Sequence, residues 1–207
     1  MKKLLVFFVC VLLSTGLFAQ IATSAHDFSG YGWSGGEICA PCHTPHNALV
    51  PQLAPLWNHT SATGPWSPYV DTGTGTLNAA VGQPAGVSRA CLTCHDGTVA
   101  LDSFGGVVGT VMINTINAAA DFGTDLTNDH PISFTYDAAL ATADGELFDP
   151  TTAASGLGGT ITNDMLFAGT LECASCHDVH NSNTVAGTPM LRLAIAGSVL
   201  CLTCHDK

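Results

Sequence analysis

The sequence predicts a mostly irregular fold, with short α-helical turns and a few short β-strands. Glycine is frequent, with 22 residues in a chain of 207, and glycine favours turns and loops over regular elements. Charged residues make up only 10% of the chain, compared with roughly 25% in an ordinary soluble domain. No stretch shows the sustained 3.6-residue periodicity of a long amphipathic helix.

The composition also excludes several function classes. Lys and Arg number 5 against 16 Asp and Glu, for a formal net charge of -11, so the basic face of a nucleic-acid-binding protein is missing. The chain is 46% hydrophobic, whereas a disordered acidic tail is poor in apolar residues. Nine cysteines are unusual for a cytosolic enzyme of this size. The cysteines and histidines are therefore the residues to explain.

Residues 1–19 have the pattern of a secretory signal peptide. A basic start at residues 1–3 is followed by the apolar run 4–13 and by small residues that end at Ala19. The run is too short for a membrane span, which needs about 20 apolar residues. We expect cleavage after Ala19. The alternatives are cleavage after Ala22 or Ala25, or an anchor that is not cleaved. We expect an exported mature chain of residues 20–207 without a membrane span.

Cys10 lies in the signal peptide, and the other eight cysteines form four Cys-x-x-Cys-His frames. Two thiols three positions apart on a helical turn can reach the two vinyl groups of one porphyrin, and the next residue places an imidazole under the iron. We therefore expect four covalent c-type haems, with the frame histidines as proximal ligands. Frame 1 is Cys39, Cys42 and His43; frame 2 is Cys91, Cys94 and His95; frame 3 is Cys173, Cys176 and His177; frame 4 is Cys201, Cys204 and His205.

Other uses of paired cysteines explain the pattern less well. A structural zinc site has no need for a histidine directly after the second cysteine. A disulfide framework is typical of small exported chains, but it leaves the four histidines unexplained. A thioredoxin-like redox motif needs a βαβ context, which the sequence does not show.

The frames belong to a doubled unit of the form CxxCHxxHN, a spacer and CLTCHD. Residues 39–47 match residues 173–181, and each unit closes with Cys-Leu-Thr-Cys-His-Asp. The two units span about 37–100 and 171–207, within one tetrahaem domain, and a Gly/Thr-rich insertion separates them.

Short elements are expected between the frames. Residues 60–86 are rich in Gly, Thr and Pro and predict a loop. Residues 107–113 have the branched apolar composition of a strand, and residues 138–143 predict one or two helical turns. Such a chain makes a thin core, so we expect the haems to supply much of the buried apolar surface.

Five further histidines are candidates for the sixth ligands of four irons: His26, His46, His59, His130 and His180. His46 and His180 each lie three residues after a proximal histidine. A side chain so close on the same turn cannot reach the opposite face of its own porphyrin, so each is expected to ligate a neighbouring haem. A solvent-facing role is the alternative for all five.

The other three candidates differ in their context. Pro131 favours an extended backbone at His130, which suits a side chain that projects from a loop. His59 follows the apolar anchor Trp57. His26 lies near the mature N-terminus and is either surplus or a ligand to a haem of its own chain or of another copy. The methionines are alternative ligands, although packing is their commoner use: Met112, Met165 and Met190.

The doubled unit resembles the doubled-CxxCH family of multihaem cytochromes c. The resemblance covers most of residues 27–207 and is weaker across 101–125 and 138–170. It implies covalent haem, bis-histidine irons and electron transfer in periplasmic or extracellular respiration. In size and haem count, the chain is also similar to tetrahaem cytochromes that form extracellular filaments, where a histidine of one subunit can ligate a haem of the next. The matching phrases lie at residues 37–39, 44–48, 54–58, 97–100 and 128–131.

The expected function is therefore electron transfer through four closely packed, mainly bis-histidine haems of low potential, and not enzyme catalysis. The expected partners are redox proteins or extracellular electron acceptors, with no nucleic acid, and the location is periplasmic or extracellular. A subunit of an extracellular filament is the first alternative. A multihaem reductase with an open iron position is the second.

Overall fold

The computed structural model describes residues 21, 22, 24–49, 53–71, 73, 75–181 and 190–207. Within them the backbone is mostly irregular, with short helices and one two-stranded sheet, which confirms the predicted fold class. The predicted signal peptide of residues 1–19, with Cys10, lies outside the described residues. In the part of the chain that is described, each helix is too short or too polar to cross a membrane.

The longest described helix, α1, has ten residues. Helix α3 confirms the turns predicted at residues 138–143; Asp137 caps it by accepting a hydrogen bond from Leu140 N at 2.8 Å, and it ends at the left-handed Gly145. The α-helices are α1 Gly86–His95, α2 Ile113–Asn117, α3 Ala138–Asp144, α4 Ile161–Asp164, α5 Cys173–Cys176 and α6 Val199–Cys204. Single 3₁₀ turns span Phe28–Gly30, Gly32–Ser34, Ala118–Ala120 and Ala196–Ser198.

The sheet pairs β1 (Phe134–Thr135) with β2 (Thr170–Leu171) in antiparallel orientation. In its register, Phe134 lies opposite Leu171 and Thr135 lies opposite Thr170. The described residues of the predicted loop, 60–71, 73 and 75–85, contain neither helix nor strand, in agreement with the prediction.

The prediction of a strand at residues 107–113 is wrong. Residues 107–112 are irregular, and Ile113 begins α2. The carboxylate of Asp102 accepts hydrogen bonds from the backbone N–H groups of Thr110 and Val111, each at 2.8 Å. A side chain therefore satisfies donors that a strand would direct to a neighbouring strand, and Val108 is left 91% exposed.

Two small apolar clusters make up the core of the described residues. One surrounds the sheet and contains Phe134, Tyr136, Ala141, Ile161, Met165, Leu166 and Leu171. The other contains Ala62, Trp66, Leu92 and Leu126. Leu92 lies inside frame 2, so the second cluster fixes helix α1 and its two cysteines in place.

We expect Ile161→Ala to destabilise the protein by about 2–5 kcal/mol, because it leaves a cavity at a fully buried site. Denaturant unfolding of the haem-containing protein, followed by circular dichroism, measures the change. Val108→Ala is the control, since that side chain is almost fully exposed. Equal unfolding midpoints for the two variants would contradict the assignment of the core.

Candidate functional site

The frames lie on short helices or on a tight turn. Frames 2, 3 and 4 lie on helices α1, α5 and α6, which confirms the helical turns predicted for them. Frame 1 is a hydrogen-bonded turn instead, in which the His43 N–H donates to Cys39 O at 2.8 Å. The corresponding bond in frames 3 and 4 is 3.0 Å long in each case. In these three frames, the backbone thus sets the histidine directly after the turn that carries the two thiols.

Frames 1 and 3 are held by the same contacts from downstream residues. The backbone N–H of Asn58 donates to Cys42 O at 2.8 Å, and that of Arg192 donates to Cys176 O at 2.9 Å. The side chains of Asn58 and Arg192 also donate, each to the carbonyl of the second residue of its frame, at 2.7 and 3.1 Å. The repeated sequence around these frames therefore adopts a repeated structure.

Three proximal histidines each face a second histidine from a distant part of the chain. A metal ion bonded to one nitrogen of each ring at about 2 Å would hold the two ring centres roughly 6 Å apart, so these residues fit the two axial ligands of a haem iron. His43 and His180 have ring centres 6.1 Å apart, His95 and His26 are 5.9 Å apart, and His205 and His130 are 6.3 Å apart.

Two proximal rings are oriented by backbone carbonyls. His43 Nδ1 lies 2.7 Å from Pro55 O, and His95 Nδ1 lies 2.7 Å from Ala120 O. A hydrogen bond from Nδ1–H leaves Nε2 as the nitrogen with the free lone pair, which is the usual arrangement for a histidine that ligates a metal. The ring of Phe122 also stacks on His95, with ring centres 5.2 Å apart.

The structure places the ring of His26 next to His95 of frame 2. From the sequence, its position near the mature N-terminus had left open whether it is a ligand or a surplus histidine. Burial, followed by the charges of His95, His177 and His180, lowers the pKa of His26 to about 4. The ring is therefore neutral at physiological pH, as metal ligation requires. Its Nδ1 lies 3.3 Å from Met190 Sδ.

The remaining histidines form no such pair among the described residues. His46 is exposed, and no histidine ring of the described residues pairs with the proximal His177 as in these three pairs. His59 is 2% exposed, with its two ring nitrogens 3.0 and 3.2 Å from the carbonyls of Thr60 and Leu101. His59 Nε2 is also 3.9 Å from the Sγ of Cys94, so this histidine lies beside an attachment point of frame 2.

Successive frames adjoin each other in chain order. Burial raises the thiol pKa of Cys94 strongly and that of Cys204 to about 11, and in both cases a sulfur of the preceding frame adds to the effect. A hydrogen bond with Cys173, followed by burial, raises the thiol pKa of Cys91. The adjoining cysteines are Cys42 with Cys94, Cys91 with Cys173, and Cys176 with Cys204.

The first and the last frame in the chain have the most accessible cysteines. Cys39 of frame 1 and Cys201 of frame 4 are exposed, whereas the other frame cysteines are partly buried. Sulfurs of frames 2 and 3 lie close together, where helix α1 packs against helix α5.

The contact between helices α1 and α5 contains two buried polar residues that no sequence motif predicts. Ser88 is fully buried and Glu172 is 5% exposed, and the serine hydroxyl donates a hydrogen bond to the carboxylate. Neither belongs to the Cys-x-x-Cys-His pattern. The position of Glu172 directly before Cys173 is the one signal in the sequence.

The comparison with protein families concerns the last two frames. Residues 166–207 match the family described as the doubled CXXCH motif. The C-terminal segment carries this motif. A doubled CXXCH motif binds c-type haem through its cysteines, and frames 1 and 2 have the same Cys-x-x-Cys-His pattern, with a longer spacer between them. No curated protein matches the chain significantly.

We expect the double substitution Cys201→Ser, Cys204→Ser to remove one haem per chain, because frame 4 loses both sulfurs that can form thioether bonds. Cys201 is exposed, so we expect the other frames to keep their haems. Mass spectrometry and the pyridine haemochrome spectrum give the covalent haem content. The matched control is Ser198→Ala, just outside the helix, which should change nothing; an unchanged haem content in the double variant would contradict the assignment.

Proposed function

We propose that the protein is an exported tetrahaem c-type cytochrome that carries electrons and is not an enzyme. The observation that carries this proposal is the pairing of three proximal histidines with distant histidine rings at 5.9–6.3 Å. When bound, each haem supplies a one-electron ferric/ferrous couple. At these three frames, two histidines per iron leave no position for a substrate, which favours an electron carrier over a reductase.

In this proposal the eight frame cysteines anchor four haems and each frame histidine is a proximal ligand. The distal ligands of frames 1, 2 and 4 are His180, His26 and His130. For frame 3 we assign His46, because His46 corresponds to His180 in the internal repeat and His180 faces the proximal histidine of the other repeat. His59 then lies beside Cys94 of frame 2 and is not a ligand.

The ligand set also bears on the haem potentials. Bis-histidine ligation gives a lower potential than histidine–methionine ligation, because methionine is the ligand that raises it. Met190 lies beside His26, but a histidine ring faces His95 at the distance that axial ligation requires. We therefore assign low potentials to the protein.

The arrangement of the frames supports a carrier with two contact points. The frames adjoin in chain order, and the end frames have the exposed cysteines Cys39 and Cys201. We assign the contacts with redox partner proteins or extracellular electron acceptors to these two ends. The predicted signal peptide supports a location in the periplasm or outside the cell.

We expect His180→Ala to convert one of the four irons from low spin to high spin, because the position opposite His43 loses its ligand. Electron paramagnetic resonance and absorption spectra of the ferric protein measure the change. The control is His59→Gln, which retains a hydrogen-bonding side chain at a site we do not assign to ligation and should keep four low-spin irons.

Four low-spin irons in His180→Ala would contradict this ligand set. High-spin iron that binds cyanide in the wild-type protein would favour the reductase instead.

A second candidate is a subunit of an extracellular filament. The observation that favours it is the separation of His46 from His177: His46 is exposed, and it does not face His177 within the described chain. An exposed histidine is free to ligate the frame-3 iron of another copy. Head-to-tail contacts of this kind form filaments when they do not close into a ring.

We expect His46→Ala to abolish fibres in negative-stain microscopy and to leave one high-spin iron, if the ligand comes from a second copy. The control is again His59→Gln, which should form fibres like the wild type. Dispersed wild-type particles with four low-spin irons would overturn the filament. In that case, a single high-spin iron in monomeric His46→Ala would place the ligand within the chain.

A further inference from the structure

A buried carboxylate lies between frames 2 and 3. Glu172 is 5% exposed, and within the described residues the ion pair that the structure forms is a different one, between Lys207 and Glu146 at the surface. A carboxylate without a cationic partner is costly to bury. Its hydrogen-bond donors must therefore compensate for the loss of water.

Two hydroxyl groups from separate parts of the chain provide this compensation. The hydroxyls of Ser88 and Ser133 both donate to Glu172 Oε2, the latter at 2.9 Å. Ser88 Oγ in turn accepts the backbone N–H of Cys173 at 2.9 Å. Ser88 belongs to α1 and Cys173 begins α5, so these bonds connect the helix of frame 2 directly to the helix of frame 3.

The carboxylate also lies against the start of helix α1. A Cβ atom at Gly86, the first residue of α1, would be 3.4 Å from Glu172 Oε1, and Gly86 has a left-handed φ of 46°. No side chain caps this helix, since its N-cap is Ala85. A negative charge is favourable at the N-terminus of a ten-residue helix, so Glu172 stabilises α1 from outside it.

The same charge is close to the attachment points of both haems. Glu172 directly precedes Cys173. The thiol pKa of Cys91 is raised by the hydrogen bond with Cys173, then by burial, and the Glu172 carboxylate adds to the increase. A buried charge is poorly screened by salt, so its effect on neighbouring groups persists at physiological ionic strength.

We infer that Glu172 is a positioning residue that fixes frame 2 relative to frame 3 and lowers the reduction potentials of the two haems attached there. Negative charge near an iron favours the ferric over the ferrous form, because the ferric centre carries one more positive charge. The inference rests on the proposed haem content. It adds a residue that touches neither iron and belongs to no attachment motif.

The test is a spectroelectrochemical titration of the haem-loaded protein with Glu172→Gln, which keeps the shape of the side chain and removes its charge. We expect two of the four midpoint potentials to rise by up to about 59 mV each, which corresponds to a change of about tenfold in the reduction equilibrium. The other two potentials should stay unchanged. Glu37→Gln is the matched control, since Glu37 is an exposed glutamate just before frame 1; it should leave the potentials of the central haems unchanged.

Glu172→Asp separates charge from position. It retains the carboxylate but shortens the side chain, so we expect wild-type potentials together with a lower thermal unfolding midpoint. This variant also keeps the inference testable if Glu172→Gln does not fold. Potentials that fall outside the wild-type values in Glu172→Asp would contradict the role of charge.

The haem content of each protein, measured first, distinguishes a failure of the proposed function from a failure of the inference about Glu172. Fewer than four haems in the wild-type chain would contradict the proposed function itself. Unchanged potentials in a four-haem Glu172→Gln protein would overturn only the inference about Glu172.

Discussion

Helix α1 packs against helix α5, and the buried hydrogen bonds of Ser88 and Glu172 hold the two helices together. Each helix carries the two thiols of a frame. A covalently anchored group cannot move away from the backbone that holds it, so the packing of these helices sets the separation of frames 2 and 3. A sulfur of frame 1 lies near frame 2, and a sulfur of frame 3 lies near frame 4.

In an irregular backbone, many N–H groups lack the partners that long helices and sheets provide. Aspartate side chains accept hydrogen bonds from some of these N–H groups. Asp125 and Asp149 each accept the backbone N–H and the hydroxyl of a threonine two residues later, and these bonds lower the pKa of both carboxyl groups. The excess of acidic residues thus has a local structural use, as turn-forming residues in a chain with few regular elements.

Asp96 has a different use. It is 3% exposed and accepts a hydrogen bond from Trp66 Nε1 at 2.9 Å, as well as the backbone N–H of Thr98 at 2.9 Å. It joins the end of helix α1 to the smaller apolar cluster. The next residue, Gly97, has a left-handed φ of 69°, and a Cβ there would lie 2.6 Å from the Asp121 carboxylate. A larger residue here would have to displace the Asp121 side chain and adopt a strained left-handed φ.

Much of the site could be predicted from local sequence patterns. The four frames and the CxxCHxxHN repeat are short, so their spacing already determines which side chains lie on one turn. The helical turns at residues 138–143 follow from equally local preferences. The strand expected at 107–113 did not form, because Asp102, which is outside that segment, satisfies its backbone donors. The residues of the segment itself do not predict these hydrogen bonds with Asp102.

The sequence by itself determined the attachment chemistry: which cysteines are paired, and which histidine follows each pair. Only the tertiary structure decided which histidine faces which. It brought His26 to His95 and His180 to His43, and it left His46 exposed. It also buried Glu172 between two frames. The physical reason is the range of the interactions: thiol spacing is fixed within one helical turn, whereas the pairing of two imidazoles depends on how long loops close.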